Sequence, residues 1–141
     1  LHIPATHLRL RCEQELKNLL LRMQSTYLTQ HESPKRLRAI LSQNLLTLVR
    51  TLGAAFALKD LDRPNDTRAA LLLAAQEFAL DDDTLRTVLE YVDGKRNLDK
   101  PSLMAVYAAS IGLVGQAASS VDQLSDPDPG YQILEDRNAA T

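Results

Sequence analysis

Tryptophan is absent from this 141-residue chain, and aromatic residues make up only 4% of it. A core must therefore be built from leucine and alanine rather than from packed rings. The single cysteine, Cys12, cannot form an internal disulfide, and no Cys/His cluster has the spacing of a zinc site. Such usage suits a reducing compartment, so a cytoplasmic location is expected. The N-terminus shows no basic stretch followed by an apolar run, so no secretory signal is visible. Five glycines and six prolines are few, and the prolines fall between periodic segments. No glycine-rich loop that would cradle phosphate is present, and His2, His7 and His31 are too scattered for a catalytic or metal cluster. No segment alternates with period two, which excludes a sheet, and no solenoid repeat is evident.

What is present is helical periodicity over a chain that is 45% hydrophobic. Leu8, Cys12, Leu16, Leu19, Met23 and Tyr27 recur at three- and four-residue steps, predicting a first helix from Pro4–Thr6 to about Gln30. Leu20, Leu21 and Leu28 are expected to widen its apolar stripe. Ser33 and Pro34 then read as an N-cap and a first helical residue. The second helix carries Leu37, Ile40, Leu41, Leu45, Leu48, Val49, Leu52 and Phe56, with Gly53 marking a kink or a close crossing. A third follows Asn65 or Asp66, with Leu71, Ala74, Ala75 and Phe78 inward. "DDDT" caps a fourth through Leu85, Val88, Leu89 and Val92, which Gly94 ends in the left-handed conformation. Asp99 and Pro101 open a fifth, reaching about Leu124. The expected fold is all-α: a compact bundle of about five helices over residues 1–125, mostly antiparallel between neighbours, followed by a mobile or partly packed tail at 126–141.

Charge is unevenly spread. Residues 1–63 carry ten Lys/Arg and five Asp/Glu, whereas residues 64–141 carry six and thirteen. Solvated helix faces and acidic N-caps account for this; a basic helix pair facing a polyanion or an acidic domain is the sharper reading. No aromatic residue interleaves the basic positions closely, so nucleic acid is not an expected partner. Leu103–Val121 holds no charged residue and is long enough to span a bilayer. Its serines, its glutamine and its small residues four apart (Ala108 with Gly112, Gly115 with Ser119) favour a central helix surrounded by leucine-rich partners instead, and no membrane is expected. Cys12, in register with Leu8, Leu16 and Met23 and flanked by Glu13 and Glu15, reads as a buried structural residue rather than a nucleophile. Glu13 and Glu15, two apart, face different directions on a helix and cannot form an acid/base pair. Asp81, Asp82 and Asp83 are explained by a helix N-terminus without a cation.

One stretch is more specific. "IPATHLRLRCEQELKNLLLRMQSTYL", Ile3 to Leu28, resembles the start of the helical C-terminal region of a group of bacterial nucleotidyltransferase-like proteins. The matching positions are Ile3, Pro4, His7, Leu8, Arg9, Leu10, Cys12, Glu13, Glu15, Leu16, Leu20, Leu21, Arg22, Tyr27 and Leu28. "SPKRLRAILSQNLLTLVRTLG" is similar to the second helix of the same group. The specific likeness covers about 45–50 residues; beyond about residue 60 only the layout is shared.

In that group a minimal nucleotidyltransferase domain of the DNA polymerase β superfamily precedes the helical region. It holds nucleotide and divalent metal with a Gly-Ser turn and an Asp-x-Asp pair on a strand. This chain has no Gly-Ser dipeptide, and its "DLD", "DDD" and "DPD" have no strand to carry them. The resemblance therefore implies an excised, non-catalytic accessory domain, with metal and nucleotide belonging to the missing domain. Its expected partners are that N-terminal domain and a second copy in a homodimer, and its expected role is to help form an acceptor-substrate cleft or a dimer interface. A stand-alone protein–protein interaction or dimerisation bundle is the alternative, using the Leu20/Leu21/Leu28 edge or the fifth helix. Should the domain line a cleft, the substrate-binding candidates are Arg9, Glu13, Glu15 and Arg22 on the first helix and Arg36, Arg38 and Arg50 on the second. No catalytic or metal-ligating residue is expected in this chain.

Overall fold

The computed structural model describes residues 4–29, 33–94 and 99–124. Those residues form helices α1 (Ala5–Thr29), α2 (Pro34–Thr51), α3 (Gly53–Leu58), α4 (Thr67–Glu77), α5 (Asp82–Val92) and α6 (Lys100–Asp122), with no strand among them. The chain is an all-α bundle. Backbone bonds run unbroken across the α2–α3 junction, from the Leu52 N–H to the Leu48 carbonyl and from the Phe56 N–H to the Leu52 carbonyl. The two segments are thus one rod with a bend at Leu52–Gly53, and the expectation of about five helices holds. The tail expected at 126–141 lies outside the described residues.

Capping explains where the rods start. The side chains of Ser33, Asp66, Asp81 and Asp99 accept bonds from the N–H groups of Arg36, Ala69, Thr84 and Ser102 at 3.2, 2.9, 3.0 and 2.7 Å. Each satisfies a donor that has no partner within its own helix. The acidic run at 81–83 is accounted for here: Asp81 is the cap, and Asp82 pairs with Arg86 at 2.7 Å. Gly94, with φ +77°, follows the end of α5 as expected.

The core is a single aliphatic cluster running from Cys12, Leu16, Leu19 and Met23 on α1 to Leu113, Val114, Ala117 and Val121 on α6. Phe56 and Phe78 meet edge-to-face inside it, ring centres 5.4 Å apart. At its middle lies Tyr107, fully buried on α6. Its hydroxyl accepts from the Asn44 amide of α2 at 2.9 Å and hydrogen-bonds Thr26 of α1. Burial raises the Tyr107 pKa and those bonds oppose the rise, so the phenol stays neutral and ties three helices together.

The expectations for three features fail. Leu21 and Leu28 are 63% and 77% exposed, and Leu10 is 54% exposed. At 100° per residue they fall on roughly the opposite side of α1 from Leu16 and Leu19, so they form a separate outer line instead of widening the stripe. Only Leu20 packs against the core. Helix α6 is not surrounded: its Leu103, Val106, Tyr107, Leu113 and Val121 edge is buried, while Ala105, Gly112, Gln116 and Ser119 face outward. Gly53 opens α3 at the interruption of the rod, the first of its two expected roles, but neither it nor Gly112 or Gly115 serves a close crossing, since a Cβ at any of them would meet nothing within 4 Å. The small residues lie outside the packed face, where volume imposes no constraint. By length and composition Pro34–Leu58 and Lys100–Asp122 are long and apolar enough to cross a membrane, yet each buries a face in the bundle.

Replacing Tyr107 with Phe removes the shared hydroxyl and leaves the Asn44 amide without that acceptor. Urea denaturation should show a loss of about 1–2 kcal/mol with an unchanged slope.

Candidate functional site

The seven charged candidates separate by flank. The buried stripe of α1 divides its polar surface in two. Helix α6 packs along one side of α1 and the α2–α3 rod along another. Arg9 and Glu13 pair at 3.5 Å, both largely buried, and the Glu13 carboxyl hydrogen-bonds Asp122 near the end of α6. They form an α1–α6 tie. Burial raises the Glu13 pKa and the bond to Asp122 raises it further, against the pull of Arg9.

Glu15 and Arg22 lie seven residues apart, two helical turns, on another flank of α1. With Asn18 between them they face Thr47, Arg50 and Thr51 of α2 across an open polar groove of about 340 Å³. Three of the seven candidates therefore meet here. Arg38 serves the fold: its Nε donates to the Val92 carbonyl at 3.4 Å and its guanidinium covers Gly94. Arg36 sits exposed in the first turn of α2, where its backbone N–H donates to the Ser33 cap. Neither lines the groove.

Each groove residue owes its place to helix spacing. Glu15, Asn18 and Arg22 follow an i, i+3, i+7 series, and Thr47, Arg50 and Thr51 an i, i+3, i+4 series, each flanking buried leucines. Asn18, Thr47 and Thr51 were missed in the sequence because uncharged polar residues beside an apolar stripe carry no signal alone. Laying the two series beside each other would have found them.

Beneath the groove lies Cys12, whose thiol donates to the Thr51 carbonyl at 3.3 Å. Burial pushes its pKa up to about 11, with the nearby Glu15 charge adding to the effect. A neutral buried thiol is a packing group, as its register with the leucines implies. Glu15 is engaged by Arg11 at 3.6 Å. Arg22 and Arg50 make no ion pair among the described residues. Thr51 is only 8% exposed, yet its hydroxyl makes no hydrogen bond among them. The groove thus offers two guanidiniums, a buried hydroxyl and an amide: a surface of donors that suits an anion.

A second concavity, between α5 and α6, is apolar, with Val88, Tyr91, Val106 and Ala109 in its walls and Asp83 and Ser102 among its polar residues. Among the described residues no group of three or more His, Cys, Asp or Glu is placed to hold a metal ion. Comparison with protein-family models, with curated proteins and with solved structures finds no match.

Two outcomes follow from these environments. The folded pKa of Glu13 lies above its ordinary value of 4.5, so its protonated form stabilises the fold below that value and the contribution is lost as pH rises through the folded pKa. Glu13→Gln keeps a donor toward Asp122 at every pH. Thermal denaturation should place its Tm ~1–3 °C above wild type at pH 7, with the advantage gone at pH 4. The Cys12 thiol should react with iodoacetamide at pH 7.5 at least ~100-fold more slowly in the native protein than in urea.

Proposed function

We propose that this chain is a non-catalytic helical accessory domain of a bacterial, cytoplasmic nucleotidyltransferase-like protein, with the α1/α2 groove as its contribution to a substrate cleft. Support comes from two sides. The Ile3–Leu28 motif resembles the helical region that follows a nucleotidyltransferase domain. Independently, the groove gathers Glu15, Arg22 and Arg50, and this convergence is the observation that carries the reading. In such a protein, nucleotide and divalent metal belong to the N-terminal domain. This domain's part is binding and positioning: guanidiniums hold an anionic group, and Glu15 accepts from a hydroxyl or amine.

The interaction-module reading has its own supporting observation. Leu10, Leu21 and Leu28 form an exposed line along α1, a face on which a second helix can bury leucine side chains. Under that reading the chain associates with a protein partner or with a second copy, and the groove is incidental.

The coding sequence upstream of Leu1 and the enzymology of the complete gene product test the first reading. A Gly-Ser turn and an Asp-x-Asp pair are expected upstream, and Arg22→Glu with Arg50→Glu should raise the acceptor KM at least ~10-fold with Tm little changed. Absence of the upstream pattern, or an unchanged KM, would overturn it.

A further inference from the structure

The groove between α1 and α2 has a composition more selective than positive charge alone. Its two arginines belong to different helices, Arg22 to α1 and Arg50 to α2, and so stand on opposite walls. Six other basic side chains have a local occupation: Arg9 with Glu13, Arg11 with Glu15, Lys59 with Glu77, Arg68 with Asp93, Arg86 with Asp82, and Arg38 with the Val92 carbonyl. Arg22 and Arg50 have no carboxylate partner among the described residues. Thr51, more than nine-tenths buried, also lines the groove, and its hydroxyl bonds to no described residue. Buried hydroxyls are normally satisfied, and one left over in a concavity calls for an external acceptor.

The number of donors decides the kind of anion. A carboxylate carries a single negative charge, which one guanidinium fork already neutralises. Two forks from opposite walls, together with a hydroxyl and the Asn18 amide, call for more acceptor atoms on one centre. A tetrahedral phosphate supplies three or four, and carries a charge that two arginines neutralise. Glu15 fixes the polarity of the site. Already engaged by Arg11, it places negative charge at its own part of the groove and disfavours the anion there. The volume of about 340 Å³ is at the small end of ligand pockets, enough for a phosphate group with a short extension but not for a polymer.

We propose that Arg22, Arg50, Thr51 and Asn18 form a binding site for a phosphate monoester, its phosphate between the two guanidiniums and its uncharged remaining part extending toward Glu15. The site deepens the cleft reading above and rests on it for biological meaning, but its chemistry belongs to this chain alone. It can therefore fail while the upstream nucleotidyltransferase pattern is found, or stand while that pattern is absent.

The test titrates the 141-residue chain with inorganic phosphate and then with pyrophosphate at constant ionic strength, following amide and arginine Nε–H resonances by NMR. Saturable shifts are expected at Asn18, Arg22, Arg50 and Thr51, with pyrophosphate binding no more tightly than phosphate because Glu15 repels its second phosphate. Arg22→Gln and Arg50→Gln should each weaken binding at least ~10-fold, while Arg36→Gln, an exposed arginine outside the groove, should change it less than ~2-fold. Thr51→Val keeps the shape and removes the hydroxyl, and should weaken binding ~3-fold or more. Unsaturating shifts spread over the basic surface, or equal losses in the Arg36 variant, would show non-specific screening and overturn the site. Saturable binding by acetate as tight as by phosphate would overturn the assignment of ligand class.

Discussion

The packing of α1 against α6 is the contact on which the remaining structure depends. It joins residues 5–29 to residues 100–122, whereas the other helices mostly meet near neighbours in the chain. Its closure carries the largest loop entropy in the fold, and the burial of Leu16, Leu19 and Met23 with Leu113, Ala117 and Val121 must outweigh it. With few aromatics available, that burial is spread over many aliphatic contacts. The polar tie of Tyr107 to Thr26 adds direction at the seam that a greasy surface lacks, and Glu13 joins Asp122 there when one of the two holds a proton.

Fixing α1 against α6 also sorts its charges. One flank is consumed at the seam, where Arg9 and Glu13 are largely buried and paired, and Glu13 also meets Asp122. Another is left beside α2, where backbone separation and short polar side chains leave a groove rather than a packed contact. Glu13 and Glu15, neighbours in sequence, thus take unrelated roles. Desolvation and a carboxyl neighbour set the first; an arginine partner and an open cleft set the second.

Capping residues and apolar spacing made the rods readable in advance. Ser33, Asp66, Asp81 and Asp99 each sit where a short polar side chain reaches the N–H three residues on, a strictly local geometry. The errors came where one residue's environment depends on another element. Leu21 and Leu28 looked like core by type, but their angular position places them away from every neighbour. The small residues of α6 have the spacing of an interhelical contact, yet Gly112 and Gly115 have open space beside them. The candidate site was half legible: arginines and glutamates announce themselves, whereas Thr51 and Asn18 gain meaning only from what stands opposite.

By itself the sequence determined the number of rods, their approximate ends, the central buried stripe of α1 and the packing role of Cys12. These follow from periodicity, capping and register, all interactions within a few residues. Only the tertiary structure decided which charged residues are spent on the fold and which remain for a ligand. That depends on which helix closes over which flank of α1, a choice made by long-range burial. Arg9 and Arg22 lie on the same helix with the same charge; one meets a carboxylate at the α1–α6 seam, and the other faces Arg50 across a groove.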